Sequence, residues 1–178
     1  MFAFAVWCVD ALAFAAPETR ADIADALGIQ AGEIVSIRKG RDDLLVHISP
    51  AAFGMVSAHV SAALARFECR GVIVTAECCP PHLHAPQSDR ARFSSRFFAP
   101  RCGIPEDPVT GSAHCLLAPY WAAALGIPER ERFYAFQASP RGGHLGLELC
   151  DGRVKLLGRA KTTLEGRLLP SPAPDSAR

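Results

Sequence analysis

The sequence predicts a mixed α/β domain in which strands and short helices alternate around one buried helix. Three observations predict it. From Ala113 to Gly126 the chain reads AHCLLAPYWAAALG, without a formally charged side chain, and a helix that is apolar all round is buried all round. Short stretches rich in β-branched and aromatic residues recur along the chain between turn signals, as strands do. The pair Asp151–Gly152 separates two such stretches in the manner of a hairpin turn. A chain of 178 residues with 49% hydrophobic content is long and apolar enough to bury a core of its own.

Taken in chain order, the first segment is MFAFAVWCVDALAFAAPE. No Lys or Arg precedes its apolar run and Asp10 interrupts it, so it does not read as an export signal. The alternation of Phe2, Phe4 and Val6 fits a strand instead. Thr19 can cap a helix ending at Leu27, with Gly28 behind it, and Ser49 followed by Pro50 opens a second helix running to about Leu64. Strands are expected at Leu44–Ile48, Val72–Ala76, Phe93–Phe98, Arg132–Ala138, Leu145–Leu149 and Arg153–Leu164. The apolar helix starts around Thr110 to Ser112 and stops at Gly126. Pro119 removes a hydrogen bond to the Cys115 carbonyl at a cost of ~3 kcal/mol and should kink or shorten that helix. The tail PSPAPDSAR, residues 170–178, is proline-rich and is expected to be disordered.

Composition narrows the partners. Nineteen Lys and Arg against 18 Asp and Glu leave a net charge of +1, which provides no basic surface for nucleic acid or for acidic membranes. No run of about 20 apolar residues is present to span a bilayer. Seven Cys, an odd number, do not form a spaced disulfide framework and point to reduced thiols and a cytoplasmic setting.

The chemistry is concentrated in EDPVTGSAHC, Glu106 to Cys115. Pro108 fixes its own φ and drives Asp107 toward an extended conformation, so the helix cannot begin before Thr110. The first helical turn then carries free N–H groups and the positive end of the helix dipole, a place where carboxylates bind. Gly111 lets a ligand approach the backbone, Ser112 can donate or accept a hydrogen bond, and Asp107 can accept from an amine or hydroxyl. The bland alternative is that Asp107 and Ser112 merely cap a core helix, and spacing alone leaves both readings open.

Other constellations are weaker. Cys78, Cys79, His82 and His84 in CCPPHLH offer zinc-type ligands, but adjacent cysteines and two prolines do not match paired-ligand spacing, and the stretch reads as a surface loop. Cys115 lies one turn into the apolar helix and reads as a packing residue. Arg141 with Gly142 and Gly143 either binds a carboxylate or closes a turn, and the turn is favoured.

The stretch from Phe93 to Gly126, with QASPRGG at residues 137–143, DLLV at 43–46, GVIVTA at 71–76 and the Gly158–Gly166 segment, resembles the phenazine-biosynthesis PhzF-like family, relatives of diaminopimelate epimerase. The likeness covers roughly residues 19 to 168. It implies a diaminopimelate epimerase-like α+β domain, a curved mixed sheet wrapped around a central buried helix. The family has two such domains with the active site between them, and this chain resembles only the carboxy-terminal one. By the same resemblance residues 1–18 are a remnant of the first domain or its crossover strand, residues 19–168 the carboxy-terminal domain, and residues 169–178 a disordered tail.

The resemblance further implies cofactor-independent, metal-free isomerisation of a small cyclic amino or hydroxy acid by a proton shift. Asp107 would hold substrate polar groups, with Ser112, Gly111 and Ala113 forming the rest of the binding wall. The family's proton-transferring glutamate, asparagine-proline segment and glycine-histidine pair belong to the first domain and have no match here; Gly143–His144 lies too late in the chain to take that role. The expected partners are a small-molecule carboxylate substrate and either a complementary first-domain chain or a second copy in a homodimer. An isomerase half that needs its complement stands against a non-catalytic small-anion-binding or remnant protein of the same fold.

Overall fold

The computed structural model describes residues 2–7, 13–14, 19–77 and 91–167, the first two segments through their backbone. The CCPPHLH stretch and the proline-rich tail lie outside them. The elements are β1 (Phe2–Trp7), β2 (Ala13–Phe14), α1 (Thr19–Leu27), β3 (Ile34–Lys39), β4 (Asp43–Ile48), α2 (Pro50–Phe53), α3 (Ser61–Leu64), β5 (Gly71–Glu77), β6 (Ala91–Phe98), α4 (Gly111–Leu125), β7 (Arg132–Gln137), β8 (Gly143–Cys150) and β9 (Arg153–Gly158).

All strands join one nine-stranded sheet in the order β1-β9-β8-β7-β6-β5-β4-β3-β2. β4 with β5 and β6 with β7 are parallel, and the other pairs are antiparallel. Strands consecutive in sequence, β1 and β2, thus occupy opposite edges. A flat sheet of this width would separate its edges by roughly 38 Å at ~4.8 Å per strand, whereas the chain from Trp7 to Ala13 reaches at most about 20 Å. The sheet must therefore curl, and it curls around α4.

Alternation along the strands sorts side chains to the two faces. Leu45, Ile73, Phe93, Ala135 and Leu147 point to the α4 side and meet Ala113, Leu117, Ala118 and Trp121. Val46, Val74 and Phe98 point outward and meet Ile23, Phe53 and Leu64 of α1 to α3. The central strands are consequently buried on both faces, which is why they read as continuous apolar runs rather than as alternating ones. Trp121 stacks on Phe93 at 5.3 Å and donates its indole N–H to Thr75 Oγ1 at 3.0 Å, and that hydroxyl donates to the Ser94 carbonyl at 2.7 Å. The polar atoms at the centre of the barrel are thereby satisfied.

The expected elements are largely present. α4 runs through Pro119 to Leu125, so of the expected kink or shortening the shortening does not occur, and Gly126 stops the helix at φ 63°. Asp151 and Gly152 take φ 51° and 72°, the two positive values of a type I′ hairpin turn. Ser49 caps α2, its Oγ accepting from the Ala52 N–H at 3.1 Å. The helix expected to run from there to Leu64 is interrupted after Phe53, where Gly54 follows, and resumes as a 3-10 turn and α3. β3 was not expected, and β9 ends at Gly158 rather than at Leu164.

His114, in the first turn of α4, is fully buried, and its Nδ1 lies 2.7 Å from the Thr110 carbonyl. A carbonyl only accepts, so Nδ1 carries the proton. Burial pushes the pKa of this imidazole down to about 4, the Thr110 bond opposing the shift only in part.

Two outcomes follow. Leu117 is fully buried against the sheet, and Leu117→Ala should lower unfolding free energy by about 2–5 kcal/mol in urea titration. Below the unfolded-state value of 6.5 the unfolded chain takes up a proton that native His114 refuses until about pH 4. Stability is therefore full above about pH 6.5 and falls as pH drops toward 4, by a few kcal/mol in order of magnitude. His47 and His144 are also lowered by burial and act in the same direction. His114→Asn should flatten, without abolishing, the acid limb of stability measured against pH.

Candidate functional site

The loop from Glu106 to Thr110 carries the chain from the end of β6 to the start of α4, and buried polar side chains fix it along its length. Arg96, on β6, donates from Nε and Nη2 to the two Glu106 carboxylate oxygens at 2.7 and 2.8 Å, and from Nη1 to the Val56 carbonyl. Both side chains of this pair are nearly excluded from solvent, at 11% and 5% exposure, so either charge alone would be costly. The Asp107 N–H donates to the Phe97 carbonyl at 2.9 Å.

Gln137, at the end of β7, is fully buried and spans the next segment. Its Oε1 accepts from the Thr110 N–H at 2.7 Å, and its Nε2 donates to the Asp107 carbonyl at 2.7 Å and to Thr110 Oγ1 at 3.2 Å. Ser139 donates to the Pro108 carbonyl at 2.7 Å and accepts from the Gly142 N–H at 3.1 Å. The residues Ser139 to Gly142 therefore form a turn tied to the loop, as favoured from the sequence.

These bonds decide where the expected site residues sit. Thr110 is the N-cap of α4 yet makes no side-chain bond to the helix. Its hydroxyl donates instead to Asp107 Oδ2. Ser112, one turn-position further on, is exposed, and its Oγ accepts from Arg70 Nη2 at 3.1 Å. Arg70 is itself held by the buried Asp43, donating from Nε to Oδ1 at 2.9 Å and from Nη2 to Oδ2. Gly111 is half-buried and Ala113 is buried in the core, so Ala113 can contribute only its backbone. The structure thus brings Asp107, Gly111, Ser112 and Ala113 together around the first turn of α4.

The arrangement is polarised. Asp107 supplies a carboxylate just before the helix, and the dipole of α4 puts partial positive charge at its first turn, where Arg70, itself paired with Asp43, reaches Ser112. A carboxylate acceptor next to a helix N-terminus can orient a small amphoteric molecule, its carboxylate toward Ser112 and the helix and its amine or hydroxyl toward Asp107. Cys115, 7% exposed, lies with Sγ 3.4 Å from the Gly111 carbonyl and behaves as a core residue.

Sequence reading singled out Asp107 and Ser112 but gave no site role to Arg70, Gln137, Arg96 or Ser139. Gln137 and Ser139 stood within a quoted motif, yet their partners lie about 30 residues away in sequence. No local pattern reports a bond of that span. Among the described residues no group of His, Cys, Asp and Glu side chains is arranged to hold a metal ion, and no helix is long and apolar enough to cross a membrane.

Comparison with known proteins places this geometry. The chain is 40% identical over 149 residues to an uncharacterized isomerase of Halalkalibacterium halodurans, covering 83% of this chain and 51% of that protein. It is 46% identical over 100 residues to the human phenazine biosynthesis-like domain-containing protein, covering 56% of this chain and 32% of that one. The fold is similar to the crystal structure of a PhzF-family phenazine biosynthesis protein from Enterococcus faecalis, with a TM-score of 0.69 and 31% identity over 91% of this chain and 55% of that one. It is also similar, at a TM-score of 0.57 and 20% identity, to a predicted epimerase of Pseudomonas aeruginosa. The chain thus spans about half the length of the Halalkalibacterium and Enterococcus proteins, or less of the human one. The family model for phenazine biosynthesis-like proteins, PhzC-PhzF, matches residues 12–166, and this chain belongs to that family.

Proposed function

We propose that this chain forms one wall of the substrate cleft of a PhzF-like isomerase. It binds the carboxylate of a small cyclic amino or hydroxy acid at the first turn of α4, while Asp107 orients the amine or hydroxyl. The observation that carries this reading is the N-terminus of α4, which Thr110 leaves uncapped while Asp107 and the Arg70-held Ser112 stand on either side. A helix end that served packing alone would be better satisfied by a side-chain cap, worth about 1 kcal/mol. The isomerase names of relatives support the reaction class.

Proton transfer requires a carboxylate that gives and takes one proton in a closed cleft. In this reading that group comes from the first-domain side of the cleft, and Asp107 serves binding. No metal or organic cofactor is needed for a proton shift of this kind.

The test measures isomerase turnover on a dihydro-hydroxyanthranilate for the chain alone and mixed with a separately produced first domain from a relative. Turnover should appear with the added domain, and Asp107→Ala should reduce it by at least about tenfold, the value of one charge-assisted hydrogen bond. Binding without turnover in the mixture would favour a non-catalytic anion-binding protein. Turnover unaffected by Asp107→Ala would overturn the role given to that residue.

A further inference from the structure

The outer face of the sheet is covered unevenly. Among the described residues the main contacts of α1 to α3 are with β3, β5 and the turn after β6, and over β7, β8 and β9 lies a cleft of about 610 Å³. Leu145 and Leu147 of β8 belong to the α4 side, so the alternating residues His144 and Gly146 belong to the opposite face, where the cleft opens. It opens on that face and reaches the loop before α4 at Val109.

Three features give the cleft a chemistry. Gly146 has no room for a side chain: a Cβ there would stand 3.2 Å from Leu157 Cβ and 3.4 Å from Tyr134 Cε1, so these two side chains pack over its backbone and form an apolar floor. The rim is basic, with Arg132, Arg141 and Arg159 and no acidic lining residue. Arg132 is held by Glu148 at 3.5 Å, whereas Arg141 and Arg159, both exposed, have no ion-pair partner among the described residues.

The third feature is His144. Its ring lies 4.7 Å from Phe136, and both ring nitrogens are shielded from solvent without a hydrogen-bond partner among the described residues. A neutral imidazole carries one N–H and one lone pair, and leaving a buried polar group unpaired costs ~1–3 kcal/mol. An unsatisfied group of this kind, lining a cleft, calls for a polar atom that the protein itself does not supply.

We propose that the cleft over β7–β9 is a second ligand site, taking a small carboxylic acid with a flat apolar body. The carboxylate lies toward Arg141 and Arg159, with one of its oxygens paired with His144, and the body lies against Tyr134 and Leu157. This assignment does not rest on the reading of the α4 N-terminus.

The experiment titrates the full chain, isotope-labelled at backbone nitrogen and at histidine rings, with benzoate and follows it by NMR. Benzoate should give saturable shifts of the His144 ring and the Gly146 amide and should raise the His144 titration midpoint, since a bound carboxylate favours the imidazolium. The double variant R141A/R159A changes only exposed side chains, and it should weaken binding by about tenfold or more, as loss of charge-assisted bonds does. Absence of saturable shifts, equal shifts with benzyl alcohol or inorganic phosphate, or undiminished binding by the double variant would overturn the assignment. Shifts confined to residues 110–114 would place benzoate at α4 and overturn it as well.

Discussion

The buried amide of Gln137 is the interaction on which the candidate site depends. It offers one acceptor and a two-proton donor, and both ends are engaged on a single loop, at the Thr110 N–H, the Asp107 carbonyl and the Thr110 hydroxyl. A loop crossing the end of a sheet would ordinarily satisfy its backbone with water. Here the sheet supplies the partners, so Asp107 and the start of α4 are positioned by β7. The Arg96 to Glu106 pair and the Ser139 hydroxyl fix the residues on either side of Asp107. Removing either member of the ion pair would strand a buried charge, which makes the loop cooperative with the core rather than an appendage to it.

Seating the loop in this way leaves the end of α4 available. The Thr110 hydroxyl is turned toward Asp107 instead of the helix, and Ser112 is tied to Arg70, which in turn rests on buried Asp43 at the start of β4. Charges from distant parts of the chain therefore converge on one helical turn. The curled sheet makes this possible, because wrapping around α4 brings residues from β4, from the approach to β5 and from β7 to the same end of the helix. The fold's energetic centre and the candidate site share one element: the helix that fills the core with Leu117 and Trp121 also begins the site with its first turn.

The parts of this account that were legible in the sequence are those encoded by local physics. The charge-free run gave α4 and its burial, Gly126 its end, and Asp151–Gly152 the hairpin. β3 was missed because Ile34 and Ile37 are the buried residues and Val35 is exposed. Their spacing of three arises from an irregular register between Ile34 and Ser36, so the strand lacks the period of two by which strands are recognised. The long helix expected after Ser49 ends at Gly54, which caps α2 in helical geometry, and the chain resumes helical structure at Ala58. Arg70 and Gln137 carried no signal of their role, because their partners are reached only through the sheet topology.

The central claim is that the described residues already hold the loop before α4 in place as part of the core, although the chain spans about half the length of several relatives it matches. Amide hydrogen exchange of Thr110 in the isolated chain tests it most directly. If the Gln137 bond seats the loop as part of the core, this amide should exchange only with global opening, as slowly as core amides of β5, and Gln137→Leu should release it without unfolding the sheet. Rapid exchange of the Thr110 amide in the unmodified chain, while β5 remains protected, would contradict the account.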